Sequence, residues 1–220
     1  TMKITDVKLR FAKHYLFVQV YTDAGIVGLG EAGNWGYLQA TAAAIEKFAD
    51  YLIGKDPFRI EDFNQNFLRS VYFRGSVIMS AISAIDIALW DLRGLRDGQP
   101  LWRMAGGASN RSRAYRGAID LNFSLERLLA NVQGFIDEGY QAVKIKVGQP
   151  DMRDDFRRAE AVRDLLGPGR AFMVDANYSW SVDQAIAAAR GFQPLNLLWF
   201  EEPTIPDGYQ GYARIHAETG

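Results

Sequence analysis

The 220-residue chain has no cysteine and only two histidines, His14 and His216. Disulfides, thiolate nucleophiles and cysteine metal sites are therefore excluded. Any bound metal must rely on oxygen ligands or on these two histidines, which favours a hard cation. A surplus of either charge is also missing. The 25 basic and 26 acidic side chains leave a net charge of −1, so there is no basic footprint for nucleic acid. No apolar run approaches the roughly 20 residues that a membrane-spanning helix needs, and the start does not resemble a secretory leader. With 48% hydrophobic residues, the composition is that of an ordinary globular protein. The expectation is a cytoplasmic enzyme with neither a nucleic-acid nor a membrane partner.

The chain changes grammar near its middle. Residues 4–11, 16–22 and 27–32 alternate apolar and polar, with Asp23-Ala24-Gly25 as a tight turn, which predicts an antiparallel meander. Helical spacing follows over 37–53 and 57–68, where Ile60, Phe63 and Phe67 share a face. Residues 76–95 are apolar nearly all round, which predicts a buried helix in which Asp86 needs a partner. Gly106-Gly107 and the polar run 109–113 mark a boundary, giving an α+β domain over 1–112 and a second domain over 113–220. From Tyr115 onward strand and helix alternate strictly. The strands are expected at 115–120, 142–147, 171–175 and 197–200, and the intervening helices are capped by Ser124 and by a Ser181/Gln184 capping box.

The last three strands organise the molecule. Each is too short for a helix and too uniformly apolar for a half-exposed strand, so burial on both faces is expected. Parallel strands joined by right-handed crossovers bring their C-terminal ends to one face. That face is where barrels of this kind keep their chemistry. Lys144 and Lys146, two apart on one strand, point the same way, toward Asp175 and Glu201 at the ends of the next two strands. Snorkelling lysines, or an Asp that merely caps a turn, would explain single members of this set. Two ammonium groups on an internal strand would nevertheless be costly without anions nearby. Successive site residues lie 29 and 26 positions apart. At that spacing four βα units fit where a closed barrel of about 200–250 residues has eight, so the chain is expected to be a segment of a longer functional unit.

Lys144-Ile145-Lys146, Asp175-Ala176-Asn177 and Glu201-Glu202-Pro203-Thr204 together resemble the enolase superfamily, in particular its mandelate racemase and muconate lactonizing enzyme group. The runs AISAIDIALWDLRG from Ala81 and PLWRMAGG from Pro100 resemble that group's interdomain signature. Glu201 to Ile215 is most similar to the mandelate racemase branch, which includes sugar-acid dehydratases. The resemblance implies an α/β fold in which an N-terminal α+β capping domain precedes the first half of a modified (β/α)8 barrel.

It further implies that Asp175 and Glu201 are two of three carboxylate ligands to Mg2+, and that Lys146 is a general base with Lys144 beside it. Lys144 would act as a like charge on Lys146 and as an attractor of the substrate carboxylate. Asn177 and Glu202 would support substrate or metal from behind. In the capping segment, loops near 12–15 and 71–76 would touch substrate, with Tyr72 and Arg74 as candidates. The third ligand and the second acid or base are expected beyond Gly220, because Glu218 falls within a helix. The implied activity is Mg-dependent abstraction of the proton alpha to a carboxylate through an enolate intermediate, leading to dehydration of a small-molecule acid sugar, by a homo-oligomer when full length. A racemase, epimerase or cycloisomerase outcome, or a non-catalytic carboxylate-binding relative, are the alternatives. A phosphate-binding barrel enzyme would want glycine-rich loops after late strands.

Overall fold

Period-two alternation at the start of the chain becomes a three-stranded antiparallel sheet in the computed structural model, which describes all 220 residues. The strands β1 (Ile4–Ala12), β2 (Tyr15–Thr22) and β3 (Val27–Ala32) lie in the order β1-β2-β3. Leu16, Val18 and Val20 share one face of β2 and are wholly buried. A one-residue slip would turn all three outward, at about 1.5–3 kcal/mol each, so burial fixes the register. Four helices follow: α1 (Leu38–Leu52), α2 (Ile60–Ser70), α3 (Ser76–Asp97) and α4 (Leu101–Met104). α1 contributes Ile45, Phe48 and Leu52 to the core, and α2 contributes Ile60, Phe63 and Phe67. α3 lies on the sheet so closely that a Cβ at Gly28 or Gly30 would collide with the carbonyl oxygens of Ala88 and Ala84. Asp86 finds its partner in Asn64, whose Nδ2 donates to it at 2.7 Å. α3 is not buried all round, however. Ile87 and Leu95 remain exposed, because the helix packs one stripe on the sheet and on α1.

The chain divides into two compact units, Thr1–Arg111 and Ser112–Gly220. In the second, four parallel strands lie in sequential order: β4 (Arg116–Gly117), β5 (Ala142–Lys146), β6 (Ala171–Asp175) and β7 (Trp199–Glu201). They alternate with α5 (Leu125–Asp137), α6 (Met152–Leu166), α7 (Val182–Phe192) and α8 (Tyr209–Thr219), and a 3-10 turn at Gln193–Leu195 follows α7. Ser124 caps α5 by accepting from the Arg127 amide, and Ser181 and Gln184 form the expected reciprocal capping box on α7. Val143 and Ile145 of β5 and Phe172 and Val174 of β6 form the core with Leu128, Val132, Val162 and Ala185 from the helices.

Two strands depart from expectation. β4 is only two residues long, because beyond Gly117 its place beside β5 is taken by a side chain: the Lys146 amide donates to Asp120 Oδ1 at 2.8 Å. β7 begins two residues later than expected and is not buried on both faces: Trp199 is exposed and Phe200 and Glu201 are half-buried at the sheet edge. On β5 also, one face is core and the other carries the two half-buried lysines.

Candidate active site

Strand register sets the site. Lys146 pairs with Asp175 across β5 and β6, and Asp175 pairs with Glu201 across β6 and β7. The three C-terminal strand ends are therefore level. Lys144, two positions back on the same face, reaches forward. Its Nζ lies 2.8 Å from Glu201 Oε1 and 3.1 Å from Asp175 Oδ2. Lys146 Nζ donates to the same Asp175 Oδ2 at 2.6 Å. The expected convergence of two lysines on two carboxylates is thus present, and three of the four groups are well enclosed: Asp175 is 2% exposed at the side chain, Lys144 14% and Lys146 15%, whereas Glu201 is 32% exposed.

Environment tunes these groups. Burial raises the pKa of Asp175, but hydrogen bonds from Lys146, the Asn177 amide and Lys144 outweigh it and leave the carboxyl below its ordinary range. For Lys144 burial works against the charge, but hydrogen bonds to Glu201 and Asp175 prevail and raise its pKa. One aromatic ring faces this amine, and a second backs that ring. Tyr115 stands 5.5 Å from Lys144 Nζ at its ring centroid and meets Trp199 edge-on at 5.4 Å. Trp199 Nε1 donates to Glu201 Oε2 at 2.9 Å, which occupies the second oxygen of that carboxylate.

Asn177 and Glu202 clamp the loops beyond the strands. The Asn177 amide donates to Asp175 Oδ1 at 3.0 Å, and its Nδ2 donates to Glu202 Oε2 at 2.9 Å. The Tyr178 hydroxyl donates to Glu202 Oε1 at 2.5 Å, an acceptor that raises the Tyr178 pKa. Asn177, Tyr178 and Glu202 all have positive φ, at 44°, 65° and 47°. Left-handed backbone is uncommon outside glycine, and here it recurs beside the site. Glu202 itself touches neither lysine. Tyr72 and Arg74 lie on the exposed connection between α2 and α3, where Tyr72 is 97% exposed. Glu218 lies in α8, ion-paired with Arg190 and Arg214.

The donor set suits a hard cation. Asp175 Oδ2 and Glu201 Oε1 both lie within 3.1 Å of the Lys144 ammonium, so the two oxygens already converge on one positive centre. Magnesium takes carboxylate oxygens and keeps several waters, so two protein ligands one strand apart are compatible with it. No cluster of three or more His, Cys, Asp or Glu side chains is present to complete a protein cage.

Residues 4–106 match the mandelate racemase / muconate lactonizing enzyme N-terminal domain, and residues 127–220 match the enolase C-terminal domain-like family. The chain belongs to the enolase superfamily. Among curated enolase-superfamily relatives it is 41% identical to 3,6-anhydro-alpha-L-galactonate cycloisomerase of Streptomyces coelicolor, over 92% of this chain and 57% of the relative. It is 36% identical to L-talarate/galactarate dehydratase of Salmonella typhimurium, over 81% of this chain and 46% of that enzyme. A Streptomyces coelicolor racemase structure with bound magnesium superimposes with a TM-score of 0.91 at 38% identity, covering all of this chain and 68% of that one. The L-talarate dehydratase of Polaromonas, solved with Mg and L-glucarate, gives a TM-score of 0.89 at 31% identity and 64% coverage of its length. The chain thus spans about half to three fifths of the length of these curated relatives. The four parallel βα units and the antiparallel sheet before them are the superfamily's architecture over that span. No helix is long and apolar enough to cross a membrane.

Proposed function

We propose that the protein removes the proton alpha to the carboxylate of an acid sugar, with Lys146 as the base, and that dehydration follows. The observation that carries this reading is the pair of amines held within 3.1 Å of Asp175 at one end of the sheet, one of which, Lys144, also contacts Glu201. A proton alpha to a carboxylate is too weakly acidic for an amine to remove unless the charge that develops on the carboxylate is offset. A magnesium ion held by Asp175 and Glu201 would supply that offsetting charge. Lys144, between the two carboxylates, attracts the substrate carboxylate. Lys146 takes the proton from Cα, and the electron pair moves into the carboxylate as an enolate. Expulsion of the β-hydroxyl, protonated as it leaves by a second acid, gives an enol that rearranges to a 2-keto-3-deoxy acid. Asn177 and Glu202 hold the Asp175 loop in its left-handed shape.

A second reading is favoured by the 41% identical relative, which is a cycloisomerase. It shares the first step and differs in the leaving group, an oxygen that remains tethered to the product. Mass spectrometry separates the two. With Mg2+ in deuterium oxide, galactarate or D-galactonate should lose one water and gain one solvent deuterium in the dehydratase reading. In the other, 3,6-anhydro-L-galactonate should give a product isomer carrying one deuterium. Absence of solvent deuterium from all three, in protein shown to be folded and metal-loaded, would refute alpha-proton abstraction from this substrate class.

A further inference from the structure

Behind Lys146 lies a polar cluster that the proposed reaction does not use. Asp120 and Asp155 are fully buried, and Arg158 is 4% exposed. No ion pair within 4 Å joins them. Instead Arg158 donates to the carbonyl oxygens of Phe123 at 2.6 Å and Asp120 at 2.8 Å, and Asp155 Oδ2 accepts from the Gln149 amide at 2.9 Å. Gln149 in turn donates through Nε2 to the Leu121 carbonyl. Asp120 Oδ2, Asp155 Oδ1 and Arg158 Nε are all buried without a partner. Burying such groups incompletely paired is costly, and an apolar cluster of similar volume would serve stability as well or better. What the cluster achieves is local. It ties the segment 120–123 to the end of β5, and the one bond it makes to the strand itself is from the Lys146 amide to Asp120 Oδ1.

We propose that Asp120 is a positioning residue for Lys146: its carboxylate holds the backbone of the base in register where β4 no longer supplies a carbonyl, and so fixes the reach of the Lys146 amine. This rests on the reading of Lys146 as the base. The lysine has four rotatable bonds, so its amine position depends on a rigid Cα. A displacement of about 1 Å at a reacting group can lower the rate about 100-fold.

The test compares Asp120→Asn with Asp120→Leu. The two side chains share the same branched shape and both remove the buried charge; leucine is the larger, and only asparagine retains an oxygen for the Lys146 amide. For alpha-hydrogen exchange of galactarate or D-galactonate in deuterium oxide with Mg2+, kcat is expected to fall about 100-fold in Asp120→Leu and to stay within about threefold in Asp120→Asn, with KM little changed in either. Independently of substrate, amide hydrogen exchange at Lys146 should quicken at least tenfold in the leucine variant and not in the asparagine variant. Should the leucine variant fail to fold, Asp120→Glu, which moves the acceptor by one methylene, takes its place in both comparisons. Equal kcat and equal Lys146 protection across the pair, with Lys146→Met inactive, overturn the role of Asp120 alone. Exchange that persists in Lys146→Met removes the base itself, and protection of the Lys146 amide then reports the Asp120 contact separately.

Discussion

At the scale of the residue, the lysine pair divides its labour by reach. Lys146 is level with Asp175, while Lys144 bridges Asp175 and Glu201. Lys144→Met is therefore expected to weaken substrate binding as well as rate, a rise in KM together with a fall in kcat, because it removes the cation that contacts both carboxylates. The buried acids give a pH prediction. Burial raises the Asp155 pKa, and the Gly148 and Gln149 amides only partly offset it. The folded state therefore holds its proton to higher pH than the unfolded chain does, and stability declines as pH rises from the ordinary carboxylate range through the raised folded value. Asp155→Asn keeps an acceptor and cannot titrate. Denaturant melts from pH 3 to 7 should show a shallower decline in the variant over that window; an unchanged difference at every pH would contradict the assignment. Much of the site was legible at this scale. Lys144, Lys146, Asp175 and Glu201 stood out because charged side chains at the end of apolar strands need a reason. Asp120 ends the run expected as the first strand and carries a similar signal, but it was not singled out, and in the structure it lies beyond β4. Tyr115 and Trp199 carried no such mark, since aromatic residues beside or on strands are ordinary core formers and only the fold turns Tyr115 toward Lys144 and Trp199 toward Glu201.

At the scale of the element, periodicity located strands and helices well where a face is buried. The meander, the Asp86 helix and the Ser181 capping box follow directly from their patterns. It failed at sheet edges. β4 shrinks to two residues and β7 starts late, because an apolar run predicts a strand only if a neighbour continues the ladder, and side-chain substitution such as that of Asp120 leaves no trace in hydropathy. Two changes test the element packing. Gly30→Ala should destabilise the first unit by about 1–3 kcal/mol, since the added methyl meets the Ala84 carbonyl on α3 and the backbone must shift. Ser181→Ala should cost about 1 kcal/mol in the second unit through loss of the α7 cap. Thermal and denaturant unfolding of the variants would check both, and a wild-type melting curve for Gly30→Ala would show that helix and sheet do not approach as described.

At the scale of the whole molecule, the account joins a sheet whose strand ends gather acids and amines to a metal-assisted proton transfer. If Asp175 and Glu201 hold magnesium, binding must stabilise the folded protein by linkage, about 2.7 kcal/mol at 100 times Kd. Melting temperature should rise with Mg2+ in the wild type and respond little in Asp175→Asn. The central claim is that Lys146 moves the proton, and one measurement addresses it most directly: exchange of the alpha hydrogen of galactarate or D-galactonate with solvent deuterium, followed by NMR in metal-loaded wild type and Lys146→Met. Methionine preserves the volume of the side chain and removes the base. The account predicts loss of exchange in the variant with substrate affinity within about tenfold of wild type, roughly 1.4 kcal/mol. Exchange at the wild-type rate in Lys146→Met would contradict it and place the base elsewhere.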